Sequence, residues 1–162
     1  MNLRRIVAKD QIDILKIYFN SINSINEKIY SKNQKIAWSS QSWMNLEFRK
    51  TLSDGKGWII EKNSNKIAFA IRYPEDKLSL FYCSENNQRK GYGTTLLKRI
   101  EEDAISEGIS LLKTEASLIS YKLLLKYDWK IIRKEKIIIN DQIFYRYNMH
   151  KKLMDQSNKT KG

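Results

Sequence analysis

The stretch LSLFYC-SENNQRKGYG-TTLLKRIEEDA, residues 78–104, constrains this chain more than any other. A short apolar run ends in a turn carrying two cations and two glycines, and an amphipathic run begins at once. Leu96, Leu97, Ile100, Ala104 and Ile105 recur at helical spacing from Gly91 onward, and Gly108 suits the residue after the helix end. The pattern is strand, tight turn, helix. In such a junction the turn amides and the free N–H groups of the first helical turn face one point, where the helix dipole adds partial positive charge. Gly91 and Gly93 let a ligand come close to the backbone there, so the junction suits phosphate oxygens. Neither common nucleotide fingerprint fits. The third glycine of G-x-G-x-x-G is replaced by Leu96, and no G-x-x-x-x-G-K-[ST] is present.

The rest of the chain alternates element types around this junction. LRRIV reads as a short strand, and residues 9–22 carry Ile14, Leu15, Tyr18, Phe19 and Ile22 at helical spacing behind Asp10 as an N-cap. Residues 39–52 predict a second helix, with Trp43, Leu46, Phe48 and Leu52 on one side and a stop at SDGKG. Residues 58–61, 67–73 and 78–83 predict an antiparallel meander joined by Asn/Ser and Pro-Glu-Asp turns. ISLLKTE predicts a further strand and SLISYKLLLKYD a further helix. WKIIRKEKIII and QIFYRYNM form a hairpin turned at Asn140-Asp141. The expected order is β-α-α-β-β-β-α-β-α-β-β, one α/β domain of about seven strands and four helices with no linker or repeat.

Composition narrows the chemistry. The 162 residues fit a single domain over 1–153, followed by a basic flexible tail over 154–162. One cysteine, Cys83, excludes an internal disulfide framework, and a single histidine, His150, supplies no zinc-ligand spacing, so no metal is expected. No run is long and apolar enough to span a membrane, and the N-terminus lacks a signal-peptide h-region, which predicts a cytoplasmic protein. The net charge of +12 favours an acidic partner such as nucleic acid, an anionic cofactor or an acidic protein. The lysines are nevertheless scattered and mixed with acids, as on a solvated surface, and the abundance of Lys, Asn and Ile also fits AT-rich coding.

Gln88-Arg89-Lys90-Gly91-Tyr92-Gly93 resembles the Q/R-x-x-G-x-G/A signature of the GCN5-related N-acetyltransferases, the GNAT superfamily, and lies at its expected place between the fourth strand and the following helix. EASLISYKLLLKYDW is similar to the second motif of that family. IYSKNQKIAW, residues 29–38, resembles a substrate-side segment of one bacterial branch. The resemblance covers residues 3 to about 153. It implies a mostly antiparallel sheet splayed between its fourth and fifth strands, with acetyl-CoA as cosubstrate in the gap. Its pyrophosphate is then expected on the amides of Gln88, Arg89, Lys90, Gly91, Tyr92, Gly93 and Thr94, and its pantetheine arm along Tyr82, Cys83 and Ser84. Ser117 stands where the family often has an Asn touching the cofactor. The backbone amide of Cys83 is the implied oxyanion donor, while its thiol reads as core.

The implied reaction is acyl transfer to a primary amine of a small molecule or protein. An amine of pKa about 10.4 is neutral in about one molecule in 2,500 at pH 7, roughly 4.6 kcal/mol from attack competence, so a base is needed. Glu115, and behind it Glu85, are the nearest carboxylates. Two positions depart from the family pattern. Leu124 replaces the tyrosine that protonates the leaving thiolate, with Tyr121 one turn earlier as a substitute, and Asp128 replaces a glycine. Two other readings stay open: an acyl-CoA-binding sensor without turnover, suggested by Leu124, and a nucleic-acid-binding domain, suggested by charge alone. A homodimer also stays open.

Overall fold

The computed structural model describes residues 1–153, and the expected tail over 154–162 lies outside the described residues. The elements run β1 Asn2–Arg5, α1 Gln11–Asn23, α2 Lys32–Ser39, α3 Gln41–Met44, α4 Leu46–Asp54, β2 Lys56–Lys62, β3 Asn65–Arg72 and β4 Lys77–Cys83. They continue with α5 Tyr92–Ser106, β5 Leu111–Ala116, α6 Tyr121–Lys126, β6 Lys130–Ile139 and β7 Gln142–Lys152. The strands form a 7-stranded sheet in the order β1-β2-β3-β4-β5-β7-β6. Every neighbouring pair is antiparallel except β4 and β5.

The local chemistry explains most boundaries. Asn140 and Asp141 both take positive φ (45° and 65°), the backbone of a two-residue hairpin turn whose twist matches its strands. Gly108 at φ 79° closes α5 as expected. The helix expected over 39–52 is interrupted. Asn45 adopts an extended conformation and its side chain accepts from the Glu47 and Phe48 amides, so it caps a new helix, α4. Helix α2, absent from the expected order, starts at a capping box in which Ser31 and Gln34 bond each other's backbone. Asp10 holds the N-cap position of α1 without bonding its amides. Its buried carboxylate turns back to the Val7 amide and to both terminal nitrogens of Arg4 at 2.8 and 2.9 Å.

Apolar side chains cover both faces of the sheet. Helices α5 and α6 pack Leu96, Leu97, Ile100, Ala104 and Leu124 on one face, against Ile60, Ala68 and Leu112. Helices α1 and α4 pack Ile14, Tyr18, Ile22 and Phe48 on the other, against Ile59, Phe69 and Leu80. A smaller cluster of Tyr30, Ala37 and Phe144 joins α2 to β7.

A bulge in β4 sets up everything that follows. Ile71 pairs with Leu80 but Arg72 pairs with Leu78, leaving Ser79 as the extra residue. Plain alternation would send Leu78, Leu80 and Tyr82 to one face. Instead Leu78 packs with α5, while Leu80 and Tyr82 pack with α1.

Candidate active site

Strands β4 and β5 meet over only two residue pairs, Lys77 with Lys113 and Leu78 with Thr114. The Thr114 hydroxyl donates to the Leu78 carbonyl at 2.7 Å and pins the apex. Immediately beyond lies the Ser79 bulge, where bulged strands bend, and the two strands no longer pair. A wedge opens in the middle of the sheet. On one wall, the Ser84 amide donates to Ile67 of β3, so strand alternation turns the Cys83 amide to the opposite edge, facing the wedge. The Cys83 carbonyl on that edge accepts from the Gln88 side chain at 3.0 Å. Burial pushes the Cys83 thiol up to about 11, against a smaller opposing pull from Lys90, which keeps the sulfur protonated at neutral pH.

The glycine-rich turn sits at the mouth of this wedge. Arg89 and Gly91 have φ of 60° and 87° with Lys90 between them, an alternation that points successive amides toward a common concavity. The Thr95 amide makes the first bond of α5, to the Gly91 carbonyl, so the Tyr92, Gly93 and Thr94 amides stand ahead of the ladder. A Cβ on Gly91 would meet nothing within 4 Å, whereas one on Gly93 would lie 3.1 Å from Leu123 and 3.5 Å from Phe81. Gly91 therefore faces open space and Gly93 faces packing. The Gln88 amide, expected in the cradle, is instead taken by the Glu85 carbonyl at 3.3 Å, and what fits an anion is the amides ahead of the α5 ladder, exposed Arg89 and Lys90, and room at Gly91. Thr94 has its hydroxyl on Tyr127 at 3.2 Å.

A cavity of about 240 Å³ runs through the wedge and is lined from both faces of the sheet. Leu78, Phe81 and Leu124 reach it from the α5 side, and Tyr18, Phe48 and Tyr82 from the α1 side. Glu115 lines it too, its two oxygens paired with Lys77 at 3.1 Å and Arg146 at 3.2 Å. Ser117 lines it while accepting the Ile119 and Ser120 amides, both at 3.1 Å, so its oxygen caps the turn into α6. Tyr121 is not among the lining residues. Its ring lies 4.5 Å from that of Tyr147 and packs into the α5-side core, while Leu124 reaches the cavity from the same helix. Asp128 takes a left-handed φ of 70°, the conformation a glycine there would serve. Glu85 is exposed on the turn after β4, outside the lining.

Sequence reasoning missed Lys77, Arg146 and Ser120 as neighbours of this site, and it missed its aromatic wall. For Arg146 a signal existed: it follows Phe144 by two, so both point to one face of β7. No such signal marks Lys77, whose place depends on the short β4–β5 seam.

A sequence model of the Acetyltransferase (GNAT) family matches residues 19–126, which include both wedge strands, the cradle and α6. The chain belongs to the GNAT family. As a GNAT protein it is an N-acetyltransferase that takes its acetyl group from acetyl-CoA. Solved structures share the fold. A GCN5-related N-acetyltransferase from Rhodopseudomonas palustris superposes with a TM-score of 0.86 at 24% identity, over 94% of this chain and 95% of that one. The paia N-acetyltransferase from Thermoplasma acidophilum, in complex with coenzyme A, gives 0.70 at 17% identity over 94% and 99%. A phosphinothricin acetyltransferase from Sinorhizobium meliloti, in complex with AcCoA, gives 0.68 at 17% over 94% and 88%. No curated protein matches the sequence. Among the described residues of this GNAT chain, no cluster of three or more potential metal ligands exists and no helix is long and apolar enough to cross a membrane.

Proposed function

We propose that the acetyl group passes directly to a primary amine of a small molecule or protein, inside the wedge between β4 and β5. The observation that carries this reading is the two-pair seam, which leaves two strand edges open with an amide cradle at their mouth. In this reading the amides from Arg89 to Thr94, with the Arg89 and Lys90 side chains, hold the donor's pyrophosphate. The backbone of Tyr82, Cys83 and Ser84 aligns its pantetheine arm like an added strand, and Gln88 gives up the Cys83 carbonyl to it. Ser117 flanks the same arm across the wedge.

The Cys83 N–H donates to the thioester carbonyl oxygen as negative charge builds there. The amine nitrogen forms a bond to the acetyl carbon, the carbon–sulfur bond breaks, one amine proton leaves to a base, and the thiolate takes up a proton. Glu115, directly or through a water, is the proposed proton acceptor on the β5 side. Tyr121 is the proposed donor to sulfur, although its ring packs on Tyr147 and it is not among the residues that line the cavity.

The test is calorimetric acetyl-CoA binding together with release of CoA thiol in the presence of amines. Gly91→Val adds methyls over the cradle and should weaken acetyl-CoA at least tenfold, about 1.4 kcal/mol. Gly108→Val is the control: it imposes a similar left-handed strain (φ 79° against 87°) at the far end of the same helix, with equal open space. Equal effects of the two variants, or no acetyl-CoA affinity in the parent, would overturn the assignment. Binding without turnover of any amine would favour the sensor reading suggested by Leu124.

A further inference from the structure

The wall of the wedge cavity is a continuous chain of six aromatic rings. Phe48 lies 4.9 Å from Tyr18, Tyr18 5.0 Å from Tyr82, Tyr82 6.2 Å from Trp38, Trp38 5.2 Å from Tyr30, and Tyr30 6.0 Å from Phe144, between ring centroids. All six line the cavity.

The polar atoms of this wall are mostly engaged with each other. The Tyr18 hydroxyl donates to the Trp38 carbonyl at 2.7 Å, and the Trp38 indole donates to the Tyr82 hydroxyl at 3.3 Å. The Leu118 backbone amide donates to the Tyr30 hydroxyl at 2.9 Å, the Thr114 hydroxyl donates to the Leu78 carbonyl, and the Asn45 side-chain amide donates to the Gln41 side-chain oxygen at 2.9 Å. What the cavity offers a ligand is ring faces together with a few uncharged polar groups, among them the Gln41 and Tyr145 side chains.

Charge points the same way. Glu115 and Arg146 are the charged residues of the lining. They pair with each other, Glu115 is also held by Lys77, and Arg146 is also held by Glu135. A polyamine or aminoglycoside would bring several ammonium groups into a wall with one carboxylate, already doubly paired, and each unmatched charge would lose its water without a partner. An acceptor carboxylate would find Arg146 similarly occupied. A single ammonium arriving over ring faces is favoured by cation–π attraction before it loses its proton. The cavity of about 240 Å³ also takes the end of the donor's arm in this reading, so the space left suits no more than one ring or branched apolar body.

We infer that the acceptor is a monoamine with an aromatic or branched apolar body, carrying no second charge, and that the Phe48–Tyr18–Tyr82–Trp38–Tyr30–Phe144 wall selects it. This rests on the amine-acetylation reading above. Transfer proceeds as described there: the amide N–C bond forms, the thioester C–S bond breaks, the amine loses one proton and the sulfur gains one.

The experiment uses the whole chain with acetyl-CoA and four probes: 2-phenylethylamine, isopentylamine, spermidine and kanamycin. It reads kcat/KM from CoA release and, separately, calorimetric binding of each amine to the CoA-loaded protein. We expect phenylethylamine and isopentylamine to exceed spermidine and kanamycin by at least about tenfold in whichever of the two readouts gives signal. Phe144→Ala should weaken phenylethylamine by about tenfold and leave acetyl-CoA affinity unchanged. Because that variant removes a buried ring, Ile137→Glu is the second: Ile137 is a half-buried lining residue, and its replacement adds a carboxylate that should shift preference toward spermidine. Preference of the parent for spermidine or kanamycin, or no binding of either apolar amine below about 1 mM while acetyl-CoA binds normally, would overturn the inference. Failure to bind acetyl-CoA at all would instead overturn the underlying reading.

Discussion

Cys83 shows how one residue can present two separate chemistries, a thiol held protonated by burial and an amide turned to the wedge. The raised thiol pKa of about 11 makes a concrete expectation. Alkylation by iodoacetamide should be slow at pH 7–8 and accelerate only as pH approaches 11, and Cys83→Ala should keep acetyl transfer within about threefold. The sign for stability follows from linkage. The folded pKa lies above that of the unfolded thiol, so this contribution is complete below about pH 8.5 and is lost as pH rises toward 11. Asp10 works in the opposite sense. Arg4, with help from the Val7 amide and Lys66, holds its carboxyl well below the usual range despite complete burial. Its contribution is present above about pH 4 and lost as pH falls through the lowered folded value. Asp10→Ala should cost about 2–3 kcal/mol in urea unfolding, less than a fully buried pair because Arg4 is partly exposed and keeps Glu61. At the proposed acid, Tyr121→Phe keeps the ring on Tyr147 and removes only the hydroxyl. A rate loss of about 10²-fold or more with unchanged acetyl-CoA affinity would assign the proton to it, whereas wild-type turnover would leave the ring as packing. Leu124→Tyr places a hydroxyl at a residue that already lines the cavity, and faster turnover is the expected outcome.

Among the elements, α2 connects local capping to specificity. Its Ser31–Gln34 box starts the helix, its Lys35 ammonium donates to the Asn23 and Ile25 carbonyls at the end of α1, and its Trp38 forms part of the aromatic wall. Ser31→Ala should cost about 1 kcal/mol in stability. In steady-state kinetics it should raise the amine KM more than it changes acetyl-CoA affinity. The S-x-x-Q signature was present in the sequence, but only Ile36, Ala37 and Trp38 are apolar in this helix, too few for periodicity to announce it. The strands, α5, α6 and the Asn140-Asp141 turn were legible because period and turn chemistry agree with the fold at each of them. The break at Asn45 was not, because Trp43, Leu46 and Phe48 mimic one continuous face across two helices. The β4 bulge was equally hidden. L-S-L-F-Y-C reads as an ordinary strand, and only its pairing with β3 shows that Ser79 has no partner there. Of the site, the cradle was readable as a local motif. The aromatic wall was not, since its rings come from α1, the α1–α2 connection, α2, α4, β4 and β7 and meet only in three dimensions.

At the scale of the whole molecule, the charge of +12 gives the nucleic-acid reading its only support, and a random 20-base-pair duplex tests it. Binding at physiological salt should be no tighter than about 10⁻⁴ to 10⁻⁶ M, the ordinary non-specific range, and submicromolar sequence-dependent binding would contradict the acetyltransferase account of that charge. The two-pair seam has a mechanical meaning as well. Strands β1 to β4 form one leaf of a book and β5, β7 and β6 the other, with a spine only Lys77–Leu78 and Lys113–Thr114 long. A ligand seated between the leaves acts as a bookbinder. Amides of β5 and β7 near the open edge should exchange hydrogen with solvent sooner than those of β2 and β3 in the free protein, and acetyl-CoA should slow them selectively. Strand pairing between the leaves is confined to that spine, and the buried cluster under α5, which joins Ile60 and Ala68 to Leu112 and Met149, is what else holds them together.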